Sequence, residues 1–243
     1  MKGLRFAVAA AVMLSGQAPA LEPWRMPPPD APSVAEADAF SRHVVEQGRI
    51  WQGNSMVAAA TTTTPEARHV PTGARCRFWY RTGEITYPFL NSDHVNCSTS
   101  RDWVNIQTGI DRRETPDQIA GNPRHVWSYL TAARGTARDI ATAWGERTAQ
   151  MEHGSFEVSQ PLRWTSSRGR VVDYVVLRSR FPGGGPEGTR QERITRTAVA
   201  VIGDWIFSHS VGGPVHYATS LDQYGEDGFV KLLQSIDEAA LIL

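Results

Sequence analysis

Near the C-terminus two β-rich runs, Arg193–Ile202 and Trp205–Val211, flank the dipeptide Gly203-Asp204. A two-residue Gly-Asp connection between such runs predicts a tight antiparallel hairpin, because glycine tolerates the backbone angles that match the twist of the strands. The turn also dictates register: Ile202 faces Trp205, Ala200 faces Phe207 and Ala198 faces His209. Trp205 and Phe207 then stand beside small alanines on one face, which leaves room for a covering helix. A final helix is expected from Ser220, with Gln223 completing a capping box. It offers Leu232, Leu233 and Ile236 to that face.

The remainder of the chain reads as strands interrupted by helices. Ser33 and Glu36 form a capping box for a first helix, whose Val34, Ala37, Phe40 and Val44 keep helical spacing to about Gly48. Met56–Thr64 is uncharged and leans toward β structure. Strands are expected at Arg75–Arg81, Glu84–Leu90, His94–Thr99 and Trp103–Gly109. Thr115-Pro116 and Asn122-Pro123 both resemble a cap followed by an N1 proline. A helical stripe follows through Val126, Leu130, Ala133, Ala137, Ala141 and Trp144. Strands resume at Ser155–Ser159 and Val171–Arg180, then a glycine-rich loop at Phe181–Gly188. Short connections favour antiparallel pairing, so the expected class is α+β: an antiparallel β-sheet flanked by helices, with residues 33–243 as one domain.

The N-terminus carries a different signal. A basic start, Met1-Lys2-Gly3-Leu4-Arg5, precedes an apolar run from Phe6 to Leu14 and the tripeptide Ala18-Pro19-Ala20. This is the layout of a secretory signal peptide cleaved near Ala20, and the run is far short of the ~20 residues that span a bilayer. Residues 21–32 form a Pro-rich leader. The whole chain balances 25 Lys+Arg against 25 Asp+Glu; without residues 1–20 the balance is 23 against 25, a net of −2. Of the remaining basic residues only Lys231 is a lysine, a bias typical of a GC-rich genome. The expected location is therefore a Gram-negative periplasm, or the exterior.

Export changes the meaning of the two cysteines. Cys76 and Cys97 are the only pair, they enclose a short loop, and neither has a Cys-x-x-Cys companion. In an oxidising compartment they read as one structural disulfide worth ~3 kcal/mol, stapling the strand at 75–81 to that at 94–99. His94 near Cys97 does not make a metal site by itself.

The run from Ile194 through Gly203-Asp204-Trp205 to Gly212-Gly213-Pro214, followed by Phe229–Ile236, resembles the C-terminal half of PsbP-like proteins. That superfamily includes the photosystem II extrinsic subunit and many secreted bacterial proteins of unknown function. The resemblance covers about a third of the chain. It implies an antiparallel sheet flanked by helices and a role in binding or assembly, and it carries no catalytic residue across.

The usual catalytic constellations are absent. There is no G-x-S-x-G elbow, Walker loop or H-E-x-x-H, and the glycine run at Gly183-Gly184-Gly185 lacks the Lys-Ser/Thr of a phosphate loop and opens no expected helix. His209 lies on the face of Trp205 and Phe207 and reads as a core histidine; strand alternation sends Ser208 and Ser210 to the other face. Eight Trp are present, and Trp79, Trp103, Trp127, Trp144 and Trp205 occupy positions suited to core packing. Charge is segregated. Residues 160–200 hold eight Arg against three acids, a net of +5, and residues 201–243 hold one Lys against six acids, a net of −5. These blocks are expected to pair with each other. The favoured function is a non-enzymatic binding or envelope-assembly module for a protein partner or small ligand. One alternative is an envelope hydrolase with His209 as base. Another is an anionic-ligand binder in which Arg178, Arg180, Arg193 and Arg196 converge on one concave surface. No cofactor, metal, nucleic acid or membrane span is expected.

Overall fold

The computed structural model describes residues 30–52, 55–80, 84–86, 93–101, 103–113, 135–182 and 192–239. The first helix is α1 (Val34–Gln52), followed by β1 (Met56–Ala58), β2 (Glu66–His69) and β3 (Arg75–Arg77). Next come β4 (Glu84–Thr86), β5 (His94–Arg101), β6 (Val104–Arg112) and α2 (Ala137–Glu152). The C-terminal part contains β7 (Ser155–Val158), β8 (Leu162–Thr165), β9 (Val171–Phe181), β10 (Arg193–Ile202), β11 (Trp205–Pro214) and α3 (Ala218–Glu238).

The hairpin β10–β11 has the register its turn dictates, with Ile202 opposite Trp205, Ala200 opposite Phe207 and Ala198 opposite His209. Gly203 takes φ 57, in the left-handed region that a side chain resists. Around this hairpin grows an eight-stranded sheet in the order β4-β5-β6-β11-β10-β9-β7, with β8 also on β9. A separate three-stranded sheet runs β1-β2-β3. The pairings in both sheets are antiparallel, and the class is α+β.

Alternation along β9, β10 and β11 gives the large sheet two apolar faces. Tyr174, Val176, Ala198, Ala200 and Phe207 meet Phe229, Leu232, Leu233 and Ile236 of α3, in a core that also takes in Val44 of α1 and Ala67 and Cys76 of the small sheet. On the opposite face Val175, Leu177, Val199 and Ile206 meet Ile140 and Ala141 of α2. The Cys76–Cys97 disulfide forms, with S–S 2.06 Å, and ties β3 to β5. No helix among the described residues is long and apolar enough to cross a membrane.

Several elements differ from expectation. α3 begins at Ala218, after a 3-10 turn at Val215–Tyr217, and Tyr217 caps it without a side-chain hydrogen bond. Ser220 is thus inside the helix: Tyr217, Leu221 and Tyr224 pack on Trp79, Val104 and Val211, and this burial draws the helix start forward past the capping signal. Within the described residues α2 starts from a capping box of Thr136 and Asp139. Hydrogen bonds from Thr136 hold the Asp139 carboxyl below the ordinary aspartate range. Both Pro-based starts, with Val126, Leu130, Ala133 and Trp127, lie outside the described residues, as do the leader up to residue 29 and the expected signal peptide. Strands β2 and β8 were not anticipated: Glu-Ala-Arg-His has neither an apolar run nor an alternation, and Leu-Arg-Trp-Thr alternates over only two apolar positions. Trp103 is not in the core. Arg101 pairs with Val104, so Trp103 falls in the turn, 70% exposed and at φ 69.

Candidate functional site

The basic and acidic blocks meet where the first turns of α3 cross β9 and β10. In the register, Arg196 pairs with Arg178 and Arg178 with Glu157. Arg180 pairs with Ile194 and with Ser155. Directly opposed residues share a face, so Arg178, Arg180 and Arg196 all lie on the side covered by α3. Arg193 pairs instead with Phe181 and Pro214. It is one residue out of phase with Ile194 and Arg196 and therefore lies on the other face. Three of the four nominated arginines come together and the fourth does not, because alternation has period two.

The three arginines line a cavity of about 310 Å³ with Ser155, Phe156, Glu157, Ile194 and Asp222 among its other walls. Asp222 and Glu226, one helical turn apart on α3, supply the counter-charges. The Asp222 carboxylate is 3.3 Å from Nε of Arg196 and 3.4 Å from Nε of Arg178. Glu226 is 3.6 Å from Nη2 of Arg196, Glu157 is 3.4 Å from Nη1 of Arg178, and Glu192 is 3.8 Å from Arg180. At the far end of α3, Arg170 is 3.6 Å from Asp237 and Arg168 donates to the Asp237 carbonyl at 2.7 Å. Arg168, Arg170, Arg178 and Arg196 of the basic block therefore meet α3 across its interface with the sheet, whereas Arg180 pairs with Glu192 and Arg163 with Asp173 inside the basic block.

Arg196 is the unusual member. It is only 4% exposed, yet its Nε and Nη1 have no hydrogen-bond partner among the described residues. Burial pulls its guanidinium down from the ordinary arginine value, and Asp222 and Glu226 oppose that shift. Space for the side chain comes from Gly225 of α3: a Cβ there would sit 3.1 Å from Nη1.

His209 lies farther along the same face. It is 6% exposed, its Nδ1 is 3.0 Å from Oγ1 of Thr108, and its Nε2 has no partner among the described residues. Burial, then Arg77 and Arg196, push its pKa down to about 4. Ser210 is on the opposite face, accepting from Thr197 at 2.9 Å. A base for hydrolysis would need a Ser or Cys and a carboxylate in reach of an open cleft; His209 has Thr108 and a helix over it. The hydrolase reading thus loses its nominated base. Among the described residues no cluster of three or more His, Cys, Asp or Glu could hold a metal.

Gly228 of α3 seals His209, since a Cβ there would lie 2.2 Å from Nε2. Gly228→Ala should therefore destabilise the fold by about 1–2 kcal/mol: overpacking a fixed ring costs about 1–3 kcal/mol, and the gain in helix propensity returns up to about 1. Urea unfolding at pH 7 measures this, and an unchanged or raised midpoint would show that the ring yields freely.

The sequence pointed to the arginines but missed their partners. Asp222 and Glu226 are spaced i, i+4, and that spacing on an expected helix was enough to place both on one face toward the basic block. Gly225 and Gly228 in the middle of a helix were the second available signal, because helix interiors disfavour glycine.

No family model and no curated protein matches this chain. Among solved structures, it is similar to the cyanobacterial PsbP (CyanoP) of Synechocystis sp. PCC 6803, at 10% identity over 72% of this chain and 91% of that one, TM-score 0.40. It is also similar to the Ran-binding protein Mog1p of Saccharomyces cerevisiae, at 13% identity over 74% and 98%, TM-score 0.32. A protein of unknown function from Pseudomonas aeruginosa matches at 9% identity over 70% and 95%, TM-score 0.31.

Proposed function

We propose that the chain is an exported periplasmic binding module without catalytic activity, and that its ligand is a small anion held by Arg178, Arg180 and Arg196. In this reading residues 1–20 are removed as a signal peptide and residues 33–243 form one domain. The supporting observation is the convergence of three guanidinium groups on one cavity, where Nη1 of the most buried of them has no hydrogen bond among the described residues and its Nε meets Asp222 only at 3.3 Å, outside hydrogen-bond geometry. Buried donors are nearly always satisfied, so a native exception calls for a partner. Guanidinium groups are also suited to planar anions, which they bind through paired donors.

Calorimetric titration of the mature protein with small anions at low salt tests the reading. Saturable binding is expected, weakened at least tenfold by Arg178→Met and unchanged by Arg193→Met, since Arg193 lies on the other face of the sheet. Equal sensitivity to the two substitutions, or no saturable binding, would sink it. Mass spectrometry of periplasmic protein, with Leu21 expected at the N-terminus, tests the export step separately.

A further inference from the structure

We infer that Asp222 is a resident occupant of the anion site, and that the natural ligand is a compound with one carboxylate that takes its place between Arg178 and Arg196. The inference rests on the anion-site reading and adds the ligand's chemical class and the means of its entry.

The Asp222 carboxylate lies 3.3 and 3.4 Å from the Nε atoms of two guanidinium groups on adjacent strands. A single planar acid thus already occupies the position between them. Its hold is loose: these separations are long for charge-assisted bonds, which settle near 2.7–2.9 Å, and Asp222 side-chain exposure is 45%. Turning it toward water exposes no buried charge of its own. Nε of Arg196 meets Asp222 outside hydrogen-bond geometry, and the buried Nη1, beside Gly225 of α3, has no hydrogen bond among the described residues. A carboxylate better aligned than Asp222 would gain the Nε bond.

Charge decides the class of anion. The cavity walls carry three Arg against Glu157 and Asp222, and Glu226 and Glu192 lie 3.6 and 3.8 Å from Arg196 and Arg180, so three cations meet four acids, a net of −1. Exchanging the Asp222 carboxylate for that of a ligand leaves the balance unchanged. A phosphate dianion would add a second negative charge beside Glu157 and Glu226, and like charges at this range are unfavourable. The other walls mix Phe156, Ile194 and Ala218 with Ser155, Ser179 and Thr195, so the body attached to the carboxylate is short and meets both apolar and hydroxyl groups. By the volume share of liquid water, 310 Å³ holds roughly ten waters, enough for a compact organic acid.

The experiment titrates butyrate, succinate and inorganic phosphate into wild-type protein, Asp222→Asn and Arg178→Met at low ionic strength, followed by calorimetry. Thermal unfolding checks that each variant folds. Asp222→Asn keeps the shape of the side chain while removing the competing charge, so butyrate should bind it about tenfold more tightly than wild type. Phosphate should bind no better than butyrate to either, and Arg178→Met should weaken butyrate. Unchanged or weaker butyrate binding to Asp222→Asn, or a preference for phosphate or succinate, would overturn the replacement by a monocarboxylate while leaving an anion site in place. Absence of binding by every anion to both wild type and Asp222→Asn would overturn the anion-site reading itself.

Discussion

Acidification from pH 7 to pH 4 should remove about 3 kcal/mol of folding stability through His209 alone. Its pKa is pushed down to about 4 in the fold, from the ordinary 6.5. The cause is burial first, with Arg77 of β3 and Arg196 of β10 adding repulsion; Thr108 of β6 offers a hydroxyl and Gly228 of α3 a backbone lid. None of these groups carries a negative charge to offset an imidazolium. The sign follows. Between pH 6.5 and 4 the unfolded chain binds a proton at this ring and the folded chain does not. The stability from a neutral His209 is therefore complete above about pH 6.5, falls at up to 1.36 kcal/mol per pH unit below it, and is gone below about pH 4.

Urea unfolding at half-unit intervals measures this slope. The comparison is His209→Gln, which fills a similar volume and cannot titrate. Loss of the Thr108 contact lowers the stability of that variant at every pH, so the quantity to compare is the fall between pH 7 and pH 4.5. Wild type should fall further than the variant by about 2–3 kcal/mol. Equal falls would show that carboxylate protonation, common to both proteins, carries the acid sensitivity and that His209 takes up its proton inside the fold.

His209 also shows how far the sequence could be read. A Gly-Asp turn and a period of two sufficed to place Ala198, Ala200, Trp205, Phe207 and His209 on one face, because a hairpin with a two-residue loop has one register. The same rule placed both serines away from the imidazole. Phase errors enter where no turn pins the strands to each other. The hairpin register placed Arg196 on the face of His209, but Arg178, Arg180 and Arg193 were grouped with it by charge alone, and the odd-numbered residue of β10 fell on the wrong face. Local signals also lost to tertiary burial at α3, where Leu221 and Tyr224 pull the helix start past the Ser220 cap. Strands β2 and β8 were illegible for a third reason. Each is a four-residue segment paired with a neighbour, β3 or β9, and too short for a pattern to stand out: β8 alternates over only two apolar positions.

Reducing Cys76–Cys97 should cost about 3 kcal/mol, the loop-closure value for a bridge spanning 21 residues of sequence. For a domain of this size that corresponds to a melting temperature lower by about 6–12 °C. The bridge is one of several ties between the small sheet and the remainder. Arg75 of β3 donates its amide to Ser235 of α3 at 3.1 Å. Glu66 of β2 donates its amide to Oγ of Ser41 of α1 at 2.9 Å. The reduced protein should thus still fold and unfold in one transition, only earlier. Oxidised and reduced samples of the same chain, unfolded in urea with and without dithiothreitol, isolate the covalent effect from the packing lost in Cys76→Ala/Cys97→Ala. Coincident midpoints would mean that the non-covalent ties already hold β3 against β5. A loss of 3 kcal/mol is a large part of the 5–15 kcal/mol typical of a domain. On the proposed export route the oxidising compartment thus supplies part of the folding energy. Any copy retained in a reducing cytoplasm would be the less stable form, and would have the smaller reserve against acid protonation of His209.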